Sequence, residues 1–176
     1  GTVNGISGNV DINFSFKDLS GKLPANRWRL IGDKWYYYKN YVKQTGWIND
    51  GQSWYYLNQD GTQYKGWLLL NNQYYYLLPT TGQMKIGWLQ AEDAWYYLNS
   101  DGTMAKDWIQ VDGKYYYLLN GAMVTGWLRI DTDYYYLRGD GSMVTGWRKM
   151  DGKYYYFGSN GKLVRGWADI DGKRYF

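Results

Sequence analysis

Cysteine and histidine are both absent from the 176-residue chain, and proline occurs only twice. Without thiols there are no disulfides and no thiolate metal ligands. Without imidazole, the commonest general base and metal ligand is missing, along with every Ser-His-Asp or Cys-His arrangement. Of sixteen carboxylates only one is a glutamate, Glu92. Seven aspartates (Asp50, Asp60, Asp101, Asp112, Asp140, Asp151 and Asp171) precede glycine, where turn geometry accounts for them. Glu92-Asp93 reads as an exposed turn. A glycosidase requires two carboxylates facing a cleft, and nothing in the spacing selects a pair. The glycines fall at turns and form no phosphate-cradling loop. No apolar run approaches the eighteen or so residues of a membrane span. No basic-then-apolar signal segment opens the chain, which is read as a mature or trimmed piece whose export signal, if any, is gone. The expectation is a non-enzyme with no catalytic residues, metal site or cofactor, although a catalytic or adhesive domain can lie upstream in a parent protein.

What the chain does have is aromatic residues and glycine: 22 Tyr, 11 Trp and 23 Gly. Eight tryptophans recur at Trp28, Trp47, Trp67, Trp88, Trp108, Trp127, Trp147 and Trp167. Their near-constant period of about twenty residues marks a stacked repeat array. With each of these tryptophans as position 0, position +7 is Trp35, Trp54, Tyr74, Trp95, Tyr115, Tyr134, Tyr154 and finally Arg174. Position +9 is Tyr37, Tyr56, Tyr76, Tyr97, Tyr117, Tyr136, Tyr156 and Phe176. All length variation falls after +9, so a rigid unit is followed by a tolerant loop. Residues 1–26 stand apart as a linker, in which Val10, Ile12, Phe14 and Phe16 alternate with polar residues like a half-buried strand. Residues 27–176 form the array of eight repeats.

The rigid unit reads as a β-hairpin. Asp112-Gly113, Asp151-Gly152 and Asp171-Gly172 occupy +4 and +5, where a two-residue turn requires positive φ. That turn pairs +3 with +6, +2 with +7 and 0 with +9. Positions 0, +2, +7 and +9 then share one face, and +1, +3 and +8 share the other. The first face is aromatic and the second mostly aliphatic. A lone hairpin is marginal in water, so the aliphatic face is expected to be buried by stacking, giving an all-β solenoid of hairpins. Two departures are expected to matter. Arg27 and Asp107 replace the usual glycine before Trp, which weakens the case for close backbone approach, and Asp50-Gly51 falls one residue early, which suggests a bulge.

Aromatics at fixed spacing are packing by default. Here they gather opposite a separate aliphatic face, and Met84, Met104, Met123 and Met143 recur four residues before a tryptophan, adding a soft apolar wall. Stacking brings 0 and +7 of one repeat towards an aromatic of the next. Three such walls make a cage for a cation lacking hydrogen-bond donors, each wall contributing roughly 0.5–2 kcal/mol. A single cage is then of roughly millimolar strength, and a polymeric ligand gains avidity over several.

Units such as GWLRIDTDYYYLRGDGSMVTGW and GWINDGQSWYYLNQDG resemble the choline-binding repeats of streptococcal and related surface proteins and of phage endolysins. The similarity runs over Arg27 to Phe176. It implies a left-handed hairpin solenoid on the bacterial cell surface, secreted and held to phosphocholine of teichoic and lipoteichoic acids. It also implies choline between consecutive hairpins, held by two aromatics of one repeat and one of the next. Carried over, this gives Trp47 and Trp54 with Tyr76, Trp67 and Tyr74 with Tyr97, and Trp88 and Trp95 with Tyr117. It further gives Trp108 and Tyr115 with Tyr136, and Trp127 and Tyr134 with Tyr156. Trp28 and Trp35 with Tyr56 abut the unusual N-terminal segment, and Trp147 and Tyr154 close against Phe176. The third wall is set at +9, with +8 the alternative. Arg174 stands where a wall belongs, so the last repeat is a cap.

Two other readings compete. Glucan-binding and clostridial-toxin repeats also use Gly-Trp and Tyr-Tyr-Phe, but lack the dense aromatics at +7 and the recurrent methionine. A purely structural solenoid would fill its cages with neighbouring side chains. The net charge of +4 is spread over loops and reads as a solvated surface, the sharper alternative being weak attraction to a polyanion. No basic groove supports nucleic-acid binding. A homodimer through an exposed terminal hairpin is the expected self-contact.

Overall fold

The computed structural model describes residues 25–176. The strand expected within residues 1–26 lies outside the described residues. The described residues divide into two compact units, one running up to Ile86 with Ser100–Thr103, and the other Gly87–Asn99 with Met104–Phe176. The first holds three antiparallel hairpins: Arg27–Ile31 with Lys34–Lys39, Gly46–Asn49 with Trp54–Leu57, and Gly66–Leu70 with Gln73–Leu77. The second holds five: Gly87–Ala91 with Ala94–Leu98, Asp107–Val111 with Lys114–Leu119, Gly126–Ile130 with Asp133–Leu137, Gly146–Met150 with Lys153–Phe157, and Ala168–Ile170 with Lys173–Tyr175. Each hairpin is named below by its position-0 tryptophan.

The register is the one the turn residues dictate. In the Trp67 hairpin Trp67 pairs Tyr76, Leu68 pairs Tyr75, Leu69 pairs Tyr74 and Leu70 pairs Gln73. The turn residues take positive φ, as at Asp151 (49°) and Gly152 (78°). In the Trp47 hairpin the pairing runs unbroken from Gly46↔Leu57 to Asn49↔Trp54, so the expected bulge is absent. Gly51 and Gln52 form the turn instead. Asp50 ties it down by accepting the backbone N–H groups of Gln52 and Ser53 on Oδ1, each at 3.0 Å.

The core corrects one expectation, that burial and aromatic chemistry lie on separate faces. Trp28 and Tyr37, from the aromatic face of one hairpin, pack on Ile48, Tyr55 and Leu57 of the next. Trp108 and Tyr117 likewise meet Leu128, Tyr135 and Leu137. Hairpins therefore stack front to back, and the tryptophans serve packing as well as enclosure. The deepest column is position +10, where Leu57, Leu77, Leu98, Leu118, Leu137 and Phe157 are all but fully buried. These residues follow each tyrosine run and pair with the residue before the tryptophan, as Leu77 does with Gly66.

Each loop runs back as a partial third strand. The residue four before the next tryptophan pairs with position +10, as in Leu77↔Met84 and Leu137↔Met143. It also donates its N–H to the +7 carbonyl of the preceding hairpin: Met84 to Trp54 at 2.7 Å, Met143 to Tyr115 at 2.8 Å and Leu163 to Tyr134 at 2.7 Å. Each of these three loops thus fastens a hairpin to the one before it. The glycine before tryptophan serves φ and not close approach: a Cβ at Gly46 or Gly126 would meet nothing within 4 Å. Asp107 adopts the same conformation at φ 61°.

Candidate functional site

Front-to-back stacking builds a cavity beside each of several tryptophans. Trp47 stands edge-on to Tyr56 of its own hairpin, with ring centroids 5.3 Å apart, and to Tyr75 of the next at 4.9 Å. These T-shaped contacts are favourable in their own right and fix the indole. Trp54 at +7 is half out in solvent, and Met84 is drawn in by its bond to the Trp54 carbonyl. Trp47, Trp54, Tyr75 and Met84 surround a cavity of about 490 Å³, with Ser100 and Asp101 at its lip. In the second unit Trp108, Tyr115, Tyr135 and Met143 repeat the arrangement around about 290 Å³, with Ser159 and Asn160 at the lip.

Other hairpins supply the same parts. Trp88 lies 6.4 Å from Trp95 and 4.9 Å from Tyr116, and the short Ala122–Met123 strand runs beside Ala94–Leu98. Trp127 meets Tyr155 at 5.2 Å, with Leu163 in the methionine position. Trp147 meets Tyr175 at 4.9 Å and shares a cavity with Tyr154. Trp28 meets Tyr55 at 4.7 Å and shares a cavity with Trp35. Trp67 and Tyr74 stand 6.3 Å apart.

The facing ring differs from the expected one. Tyr56, Tyr76, Tyr97, Tyr117, Tyr136, Tyr156 and Phe176, all at +9, stand against the tryptophan of their own hairpin, at 4.9–5.3 Å. The ring that faces the previous hairpin's tryptophan is at +8: Tyr55, Tyr75, Tyr116, Tyr135, Tyr155 and Tyr175. Period-two alternation is the cause. Because +9 shares a face with 0 and +7, it points away from the cavity of the hairpin before.

The methionines are held by glycines in the following loop. A Cβ on Gly102 would sit 2.3 Å from the Met84 sulfur, one on Gly121 2.4 Å from the Met104 methyl, and those on Gly141 and Gly161 2.2 Å from the Met123 and Met143 sulfurs. These glycines also take positive φ, 77–93°. The adjoining aspartates close the loops: Asp101 Oδ1 accepts the Thr103 hydroxyl at 2.6 Å and backbone N–H at 3.0 Å. Those two bonds, the hydroxyl first, hold the Asp101 carboxyl below the usual carboxylate range. It stays ionised at the lip of the Trp47 cavity. In the last hairpin Arg174 lies over Trp167 at 5.9 Å and pairs with Asp169 at 3.7 Å. No group of three or more metal-ligating side chains occurs among the described residues.

Three π faces and a thioether suit a cation without hydrogen-bond donors. The sequence profile of the choline-binding repeat matches residues 44–88, 85–125, 124–163 and 144–176, and that of a cell wall binding repeat matches 26–40. The chain belongs to the choline-binding repeat family. No curated protein sequence matches it. Among solved structures, this choline-binding repeat array resembles CbpJ of Streptococcus pneumoniae TIGR4, at 35% identity and a TM-score of 0.78, over 96% of this chain and 61% of that one. It resembles choline binding protein F of S. pneumoniae, solved in the presence of a peptidoglycan analogue, at 37% identity and 0.74, over 89% and 58%. The pneumococcal cell wall endolysin of phage Cp-1, solved with choline, is 30% identical at a TM-score of 0.50, over 69% and 37%. The array thus spans about three-fifths of the length of the two S. pneumoniae proteins.

Proposed function

We propose that this choline-binding repeat array is a non-catalytic anchor that holds a secreted protein on the bacterial cell wall. Its ligand is the choline of phosphocholine-bearing teichoic and lipoteichoic acids. The observation that carries this reading is the Trp47 cavity, where Trp47, Trp54, Tyr75 and Met84 offer π faces and sulfur around a space of about 490 Å³. A trimethylammonium group has no N–H to satisfy and gains from such walls alone. The ionised Asp101 at the lip adds attraction without a donor-acceptor demand. The cages of this reading are those of Trp47, Trp88, Trp108, Trp127 and Trp147, each with its own +7 ring and the next hairpin's +8 tyrosine. Trp67 and Tyr74 contribute a further pair. The Trp167 hairpin has Arg174 over its indole where the others place a ring, so it offers no choline site, and its exposed Trp167 and Phe176 suit a contact between two copies.

A choline titration followed by tryptophan fluorescence and thermal melting tests the reading. A saturable signal in the millimolar range is expected, with the melting temperature still rising as ligand increases. A flat response in both would overturn it, and retention on dextran would then favour the glucan-binding alternative.

A further inference from the structure

One cage is built from different chemistry, and it is the first. Trp28, Trp35 and Tyr55 enclose a cavity of about 330 Å³ whose remaining lining is Gln63, Thr80 and Thr81. Gln63 holds the position that Met84, Met104, Met123 and Met143 hold elsewhere, and it fills the same slot. A Cβ on Gly82 would sit 2.3 Å from its Cδ, as one on Gly102 would from the Met84 sulfur. Its N–H also bonds the +7 carbonyl of the preceding hairpin, Trp35, at 2.8 Å. The amide is locked by Nε2 donating to the Thr81 carbonyl at 3.0 Å. That leaves Oε1, an acceptor, as the polar atom this wall has to offer.

A second exchange points the same way. Position +3 lies on the face turned to the preceding cage. It is aliphatic or methionine in the later hairpins, at Leu70, Ala91, Val111, Ile130, Met150 and Ile170, but it is Asp50 in the Trp47 hairpin. Asp50 Oδ2 accepts the Trp28 indole N–H at 3.1 Å, so a carboxylate stands directly behind a cage wall.

We infer that the Trp28 cage selects an ammonium that keeps N–H donors, a primary amine, over the quaternary ammonium of choline. This rests on the reading of the other cages as choline sites. A primary ammonium entering the Trp47 cage would find acceptors only at the lip, Ser100 and Asp101, and none on the thioether wall. Beside Gln63 Oε1 and the Thr80 hydroxyl it exchanges water for charge-assisted hydrogen bonds, with the Asp50 charge nearby. A trimethylammonium group there still meets the three rings, but it strips water from the same acceptors and returns no hydrogen bond.

The test is a titration of the full chain with ethanolamine and, separately, choline, read from indole N–H cross-peaks in 1H–15N spectra assigned by single Trp→Phe substitutions. Trp28 and Trp35 should respond to ethanolamine at roughly tenfold lower concentration than to choline. Trp47 and Trp54 should show the opposite order. Gln63→Met, which fits the slot as methionine does elsewhere, should reverse the order at Trp28 and Trp35 and leave Trp47 and Trp54 unchanged. A Trp28 pair that answers choline as readily as ethanolamine, or keeps its order in Gln63→Met, overturns the inference. Failure of Trp47 and Trp54 to answer choline would instead overturn the reading on which it rests. A third arm with n-butylamine separates the sources: a response equal to ethanolamine assigns the cage to a lysine-like side chain, and a weaker one to an amino-alcohol ester.

Discussion

Tyr75 and Tyr76 are separated by one backbone step and point in opposite directions. Tyr75 faces Trp47 of the hairpin before, whereas Tyr76 backs Trp67 of its own. Tyr75→Leu should therefore weaken choline at the Trp47 cage by about 2- to 30-fold, the worth of one π wall. Tyr76→Leu should leave that affinity unchanged while lowering the melting temperature. The choline-dependent shift of the Trp47 indole resolves the two. This wall was legible in the sequence in principle, because the strand alternation that put 0, +7 and +9 on one face already required the next hairpin to offer +8. The two other expectations of a special residue resolve differently. Asp107 replaces glycine at no cost in space, and Asp50 re-forms its turn through side-chain bonds.

The hairpin with its return loop is the element on which packing acts. Period, register and turn type follow from Gly-Trp spacing and Asp-Gly turns, so they could be read directly. The +10 column is harder to read: Leu57, Leu77, Leu98, Leu118 and Leu137 recur after each tyrosine run, but this single aliphatic position lies one residue from a far denser aromatic repeat. Leu98→Ala, at a fully buried site, should cost about 2–5 kcal/mol, measurable by urea denaturation. The methionine clamps were illegible for another reason: they depend on a glycine eighteen residues or so further on. Gly102→Ala meets both a φ of 84° and the Met84 sulfur, whereas Gly46→Ala meets only the left-handed backbone penalty of roughly 1–2 kcal/mol. The former should be the more destabilising, and Gly102→Ala combined with Met84→Ala should recover part of the difference.

At the scale of the molecule, acid and valency are the two levers. Asp60, Asp101 and Asp140 are each held below the usual carboxylate range, by a Thr or Ser hydroxyl first and its backbone N–H second. A depressed folded pKa contributes stability above the unfolded value near 4, and that stability is lost as pH falls through the folded value. The melting temperature should be level from pH 7 to about 5 and fall below about pH 4. Asp101→Asn with Asp140→Asn should blunt that fall. Valency acts through repetition: a polymer carrying many choline groups should outbind free choline by about 10²–10⁴-fold. Elution from a choline-bearing resin as a function of free choline measures this.

The bond from Met84 to Trp54 and the lip at Asp101 also set an order in time. The ribosome releases Trp47 and Trp54 first, then Tyr75, then Met84, and the lip last. A cage opened by one hairpin is finished only when synthesis has passed two hairpins further. A purified chain ending just before Met84 should carry the Trp47 indole already stacked on Tyr75, yet bind choline there more weakly, through its three rings alone. Extending it past Met84 and then past Asp101 should strengthen binding in two steps. The Trp47 cage is thus completed from its C-terminal side, by residues up to two hairpins beyond it.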